Sequence, residues 1–298
     1  MSRPSESARA AATAAALGRL SSEEIVAAIG VPQQSARGEA LRWLFRGLSG
    51  RLARTLASFD EDVVQIGLCL AARRALTALG VSTRSHDRDA IPLEGPLCVV
   101  SNHPGAFDAL ALMAELGRAD LRILALDREF LRTLRNLSQA HLLFVDPTQV
   151  TRRIGAVRAA LTHLRSGGAL LHFPAGKIEP DVAFGAQGGL IEPWSEGSDA
   201  LLGLFSRNQA ALRIAAVSGV HSQRAKQHFV NRWFERRGVS TVAPLLQLAR
   251  DFRDVDVNVR FAAPPSEGAS ATQLRALLSS ALLAETREPN VHGLTPAR

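Results

Sequence analysis

The chain has 298 residues, of which 46% are hydrophobic and 21% charged, and its mean hydropathy is +0.04. This composition is typical of a globular protein and excludes a wholly disordered or collagen-like chain. The formal net charge of +7 would suit an anionic partner such as nucleic acid, a membrane surface or an anionic substrate. The chain has no Tyr and no RNA-binding motif with interleaved aromatic residues, so we expect no nucleic-acid partner.

Membrane-spanning and disulfide-rich classes are not indicated either. The longest apolar stretch, residues 63–79, is interrupted by Arg73 and Arg74, and the Ala-rich N-terminus lacks the apolar core of a signal peptide. The two cysteines, Cys69 and Cys98, are too few for a disulfide framework or a four-ligand zinc site. We therefore expect a cytoplasmic protein without a metal site.

The first 84 residues are predicted to form an N-terminal helical segment. Ser21 and Glu24 have capping-box spacing for a short helix reaching residue 29, a second helix is predicted over residues 39–59, and a third over 61–79, ending at Gly80. The second helix has an apolar face and an Arg-rich face. That pattern fits a helix lying on an anionic membrane, and it also fits a helix packed on the core with a solvated basic face.

Residues 85–298 alternate between strand and helix patterns. The predicted strands cover residues 97–101, 121–126, 142–145, 169–173, 213–217 and 256–261, and the predicted helices cover 107–116, 151–164 and 271–283. Strands that alternate with helices favour an α/β fold with a mostly parallel sheet flanked by helices on both faces. The sequence thus predicts a helical segment (1–84) followed by an α/β domain (85–298).

The first candidate motif follows the strand at 97–101. It consists of Asn102, His103, Pro104 and Gly105, with Asp108 five residues after His103. Ligands of α/β sheets bind at the carboxyl ends of strands, and imidazole is a suitable general base near neutral pH. Asp108 could hold one ring nitrogen of His103 and leave the other free to accept a proton. Alternatively, Asp108 caps a helix and His103 is unrelated to it.

The second candidate motif follows the strand at 169–173. Phe173, Pro174, Gly176 and Lys177 form a strand exit in which backbone N–H groups can approach an anion and Lys177 adds a point charge. The alternative is an ordinary strand-to-loop exit with an exposed Lys.

In combination, the two motifs resemble those of the glycerolipid acyltransferase family, of the lysophosphatidate acyltransferase type. That family has N-H-x4-D after a strand and F-P-E-G-T-R further on, and here Phe173 lies 70 residues after His103. Residues 143–146 occupy the place of the family's intermediate G-x-x-F-I-x-R strand. The resemblance covers about residues 85–265.

The resemblance implies an O-acyltransferase that moves a fatty acyl group from acyl-CoA or acyl carrier protein to a hydroxyl of a lyso-lipid or lipid precursor. His103 would be the general base and Asp108 would orient it. Substrate would be bound by the remaining motif residues, namely Asn102, Pro104, Gly105, Phe173, Pro174, Gly176 and Lys177. The acyl thioester is then a co-substrate, no further cofactor or metal is needed, and the enzyme is peripheral on the inner face of an anionic membrane.

Several positions depart from the family pattern. The Glu of the second motif is Ala175, its Thr-Arg is Lys177-Ile178, and Asp146 stands near the place of an Arg often assigned to the acceptor phosphate. These departures argue against lysophosphatidate or glycerol 3-phosphate as acceptor and favour a lyso-lipid without that phosphate, such as a lyso-aminolipid. Arg128, Arg152 and Arg153 are candidate replacements for the phosphate-binding Arg. Glu179 and Asp181 are candidate replacements for the missing Glu.

Two other functions remain open. The missing Glu and Arg would also fit a non-catalytic lipid- or acyl-binding protein that has kept the fold, although such a protein has no need of a base at His103.

Residues 224–237 mix basic and aromatic side chains that could meet lipid headgroups or the phosphates of coenzyme A, or form a solvated helix face. The other alternative to acyl transfer is a basic nucleic-acid-binding protein, and nucleic-acid binding that weakens steeply with salt would identify it.

Overall fold

The computed structural model describes residues 10–20, 39, 50–105, 107–146, 148–184, 191–236, 246–247, 252–264 and 268–287. Predictions for the short helix at 21–29 and for the first part of the helix at 39–59 fall outside these residues.

The described part of the N-terminal region is helical up to the first strand. Its helices are α1 (residues 10–20), α2 (Gly50–Gln65) and α3 (Leu68–Leu79). The prediction of one continuous helix over residues 61–79 is wrong. The helix is interrupted at Gly67, whose φ of +83° lies outside helical geometry. α3 ends at Gly80, as predicted, with φ of +75°. Among the helices that the structure describes, none is long and apolar enough to cross a bilayer.

Seven strands form one sheet. They are β1 (Val81–His86), β2 (Leu97–Ser101), β3 (Arg122–Leu126), β4 (Leu142–Val145), β5 (Ala169–His172), β6 (Ala211–Ser218) and β7 (Val255–Ala262). Their order is β1-β7-β6-β2-β5-β3-β4. The five strands from β6 to β4 are parallel, whereas β7 runs antiparallel to β6 and pairs in parallel with β1. The predicted α/β class and mostly parallel sheet are confirmed.

The remaining helices connect or follow these strands. They are α4 (Asp108–Glu115), α5 (Glu129–Thr133), α6 (Arg135–His141), α7 (Val150–Arg165), α8 (Ser198–Arg207), α9 (Gln223–Gln227), α10 (Phe229–Glu235) and α11 (Ala271–Arg287).

Alternation along the central strands directs side chains into two hydrophobic cores. In β2, Leu97 and Val99 face the core under α2, α3 and α4, whereas Cys98 and Val100 face the core under α7, α8 and α11. Central strands covered on both faces are apolar along most of their length, which is why their sequences predicted them well.

Strand β1 was not predicted. Its sequence, VSTRSH, is polar, and residues 81–84 were expected to end the N-terminal helical segment. Because β1 is an edge strand that pairs with β7 alone, it needs few apolar side chains. It also crosses the predicted boundary at residues 84/85, and the division into two domains stays a prediction.

The described part of the Arg-rich helix packs on the core. Leu56 and Phe59 of α2 are buried among core residues, whereas Arg54 is exposed. For residues 50–59, the core-packed interpretation is therefore the one observed.

Asn102 extends the pairing of β2 with β6 beyond the last strand residue. Its Nδ2 donates to the Val217 carbonyl at 2.8 Å, and its Oδ1 accepts from the Val217 N–H at 2.8 Å. The buried side-chain amide thus replaces a backbone peptide in the ladder and fixes where the chain leaves β2.

We expect Asn102→Ala to lower the free energy of unfolding by about 2 kcal/mol or more, because it leaves a buried N–H and a buried C=O of Val217 unpaired. Urea denaturation measures the loss. Asn102→Asp, which keeps the shape but cannot donate, should also be destabilised. Wild-type unfolding energy in Asn102→Ala would contradict this structural role.

Candidate active site

The two sequence motifs come together at the carboxyl edge of the parallel strands. β2 and β5 are hydrogen-bonded neighbours with Val100 opposite His172, so the loops that follow them lie side by side. The ring of His103 contacts the ring of Phe173, with centroids 4.6 Å apart. This is the edge at which α/β sheets bind ligands.

The predicted pairing of His103 with Asp108 is present. His103 Nδ1 lies 2.7 Å from Asp108 Oδ2, and the aspartate is buried as the first residue of α4. Asp108 also accepts N–H bonds from Gly105 at 2.8 Å and from Ala109 at 2.5 Å. Because a carboxylate can only accept, Nδ1 of His103 carries the proton and Nε2 is left with a lone pair. Asp108 thus bonds both the imidazole of His103 and the turn at Gly105, whereas the cap position of α4 is Phe107.

The surroundings of His103 make it a stronger base than free imidazole. Burial favours the neutral ring, but the hydrogen bond and charge of Asp108, with the charge of Glu179, outweigh burial and raise the pKa of His103. A base is most effective when its pKa lies near the working pH.

Gly105 makes the short turn between β2 and α4 possible. Its φ is +87°, and a Cβ built on it would lie 3.3 Å from Cγ2 of Ile178. The backbone of the first motif therefore rests on a side chain that directly follows the second motif.

The second motif forms a tight turn held from the α8 side. The Gly176 N–H donates to the Phe173 carbonyl at 3.1 Å, and the Pro174 carbonyl accepts from Ser195 N and Oγ, each at 2.8 Å. Lys177 is exposed, and its Nζ lies 2.9 Å from Glu192 Oε2. The Lys177 ammonium is therefore already paired with a carboxylate. The substrate-binding roles of these residues and of Asn102, Pro104 and Gly105 stay predictions.

Two buried carboxylates after the second motif hold neighbouring loops by their backbone. Glu179 accepts from the N–H of His103 at 2.7 Å and from the N–H of Glu192 at 2.8 Å. Asp181 accepts from the N–H of Gly219 at 2.9 Å and of His221 at 3.2 Å. Sequence reasoning weighed Glu179 and Asp181 only as replacements for the family's Glu at Ala175, and no sequence pattern predicts these backbone contacts.

His221 is a third histidine-bearing position at this edge, and sequence reasoning found no cluster that includes it. Its Nδ1 is buried without a hydrogen-bond partner. Burial lowers the pKa of His221, and the charges of Asp181 and Asp108 oppose this only in part. A sequence signal for His221 exists, because it lies three residues after β6, at the carboxyl end of a strand. That position indicates a site residue only once β6 is known to lie beside β2.

Of the candidate phosphate-binding arginines Arg128, Arg152 and Arg153, Arg152 contacts carboxylates: it lies 3.3 Å from Asp127 Oδ2 and 3.9 Å from Asp146 Oδ2. Arg132, which was not a candidate, forms an ion pair with the same Asp127, just after β3. Within the described residues, no group of three or more His, Cys, Asp or Glu side chains is placed to hold a metal ion.

Comparison with known proteins gives one family. Residues 82–220 match the family model described as Acyltransferase. A comparison with curated proteins finds no match. Among solved structures, the chain is similar to the crystal structure of the 1-acyl-sn-glycerophosphate (LPA) acyltransferase PlsC from Thermotoga maritima, with 15% identity and a TM-score of 0.49 over 85% of this chain and 88% of that chain.

The family match begins in β1, ends just after β6 and includes both sequence motifs. The match agrees with the resemblance found from the motifs: residues 82–220 are similar to the acyltransferase family.

Proposed function

We propose that this protein transfers a fatty acyl group from acyl-CoA or acyl carrier protein to a hydroxyl of a lyso-lipid or lipid precursor. The observation that carries the proposal is the 2.7 Å contact between His103 Nδ1 and Asp108 Oδ2, at the carboxyl edge of the sheet and inside the family match.

In the proposed reaction, His103 Nε2 removes the proton of the acceptor hydroxyl as its oxygen attacks the thioester carbonyl carbon. The tetrahedral intermediate collapses with cleavage of the C–S bond, and the proton held by His103 passes to the departing thiolate. Products are an ester and a free thiol. Asp108 stabilises the transient imidazolium and keeps the Nδ1 proton in place. The acceptor is itself the nucleophile, so no acyl-enzyme is formed.

The acceptor we propose lacks the phosphate of lysophosphatidate. Asp146 and Asp127 are carboxylates near the place where the family has a phosphate-binding Arg, and Asp127 pairs with Arg132 and Arg152. An acceptor phosphate there would have to compete with these carboxylates for the guanidinium groups. A lyso-lipid with a different headgroup, such as a lyso-aminolipid, avoids that competition.

We further propose that the protein works as a peripheral protein on the inner face of an anionic membrane. α10, which follows β6 and α9, exposes 68% of Phe229 and 50% of Trp233, four residues apart on one helix face. Arg232 is exposed on the same helix. Exposed aromatic residues beside basic ones suit the interface of an anionic bilayer.

The general base is tested by His103→Ala. Wild type is expected to transfer labelled acyl groups from palmitoyl-CoA or palmitoyl-acyl carrier protein to lipids in a pool of bacterial lyso-lipids, and the variant to lose about a hundredfold or more. Product is measured as labelled lipid, separately from thioester hydrolysis.

The matched control is His86→Ala, which removes a histidine from the edge strand β1 and should keep wild-type activity. Transfer that survives in His103→Ala would overturn the mechanism. A wild type that is folded and binds lipid but makes no product would instead support the non-catalytic lipid- or acyl-binding function.

Lys177 is proposed to attract an anionic part of the donor or acceptor. We expect Lys177→Ala to raise one substrate's KM by about twofold to fivefold with little change in kcat, because an exposed charge contact contributes about 0.2–1 kcal/mol. Arg158→Ala, an exposed substitution in α7, is the control. Unchanged KM values for both substrates would remove Lys177 from the binding site.

A further inference from the structure

Glu179 binds the catalytic loop through the main chain of His103. The two residues exchange two hydrogen bonds: the His103 N–H donates to Glu179 Oε2 at 2.7 Å, and the Glu179 N–H donates to the His103 carbonyl at 2.7 Å. Both backbone polar groups of His103 are therefore bonded to one residue, which lies 76 positions further along the chain. This double contact fixes the peptide from which the imidazole extends.

The second oxygen of Glu179 reaches the loop that precedes α8. Oε1 accepts from the Glu192 N–H at 2.8 Å, and the Glu192 side chain pairs with Lys177. One carboxylate thus connects His103 to the partner of Lys177. Changing Glu179 would disturb both motifs, although it belongs to neither.

Burial of this carboxylate is costly without compensation. Only 4% of Glu179 is exposed, and burial raises its pKa, while the two backbone N–H bonds and the charge of His103 oppose that rise. A neutral amide could fill the same space. The charge is useful where a positive charge develops nearby, and in the proposed mechanism the His103 ring becomes positive when it takes the acceptor proton.

We propose that Glu179 is a positioning residue for acyl transfer, which holds the His103 peptide in place and favours the imidazolium form of its ring. This inference rests on the proposed function of His103 as general base. Glu179 thereby supplies a carboxylate to a site whose second motif has Ala175 where the resembled family has Glu.

The ionisable groups that surround His103 and Glu179 come from the two motif loops and from the loop after β6. Asp108 and Glu179 act on His103, and Glu192, paired with Lys177, acts on Glu179. On the β6 side, His221 faces the charges of Asp181, Asp108 and Lys226. Asp181 belongs to the same segment as Glu179 but does not contribute to the charge balance at His103.

The experiment is an NMR titration of protein labelled with 13C at histidine Cε1, with the His103 signal assigned by its loss in His103→Ala. In Glu179→Gln the pKa of His103 should fall, because a negative charge that raises it is removed. In Asp181→Asn, the matched control, the pKa of His103 should stay at the wild-type value. A wild-type pKa for His103 in folded Glu179→Gln overturns the inference, as does an equal fall in both variants.

Activity gives a second, separable measurement with palmitoyl-CoA and the lyso-lipid pool. Glu179→Gln should lower kcat about tenfold or more, because a displaced base loses its alignment, and should move the acid limb of kcat/KM to lower pH. Asp181→Asn should leave that limb in place. Wild-type kcat and an unmoved limb in Glu179→Gln overturn the inference.

The titration needs no substrate, so it decides the contact of Glu179 with His103 even where the wild type transfers no acyl group and the proposed function fails. Should Glu179→Gln not fold, Glu179→Asp takes its place. That variant keeps the charge but shortens its reach, and a His103 pKa that falls below wild type supports the inference, whereas an unchanged one overturns it.

Discussion

Hydrogen bonds from main-chain N–H groups to buried side-chain oxygens determine the geometry of this site. Asn102 continues the β2–β6 ladder, Asp108 closes the turn at Gly105, and Glu179 and Asp181 bind the loops after β2 and β6. Strand ends leave such N–H groups unpaired in a crowded, partly buried region, where an unsatisfied donor costs about 1–3 kcal/mol. Two of these side chains, Asp108 and Glu179, also place negative charge beside His103, so the stability of its loop and the basicity of its imidazole have a common origin.

Most of the fold could be predicted from the sequence, because a strand buried on both faces is apolar at nearly every position. Leu97–Ser101 of the central strand β2 is buried at every position and apolar in its first four residues, and its predicted ends coincide with the observed ones. Leu142–Val145 is an edge strand, but its sequence is apolar throughout and it was placed correctly as well. Val81–His86 was missed because this strand pairs with a single neighbour and is partly exposed, so its sequence does not have to be apolar. Strand order and the antiparallel pairing of β6 with β7 depend on contacts distant in sequence, and periodicity carries no information on them.

The candidate site divides in the same way. His103 and Asp108 are close in sequence, so their spacing across a strand-to-helix turn was enough to pair them. Glu179 and His221 join the site only because β5 and β6 flank β2, and their positions in the sequence do not reveal that arrangement. Family resemblance supplied the pairing of the two motifs, while the contacts that connect them had to be read from the structure.

The main-chain contacts of residue 103 have a consequence for redesign. Glu179 bonds the N–H and C=O of this residue, groups that every amino acid except proline possesses, and no part of the imidazole is needed for either bond. The scaffold therefore holds position 103 independently of its side chain. A serine or cysteine at position 103 would have its backbone held in the same place beside Phe173. The loop could therefore position a different nucleophile or base.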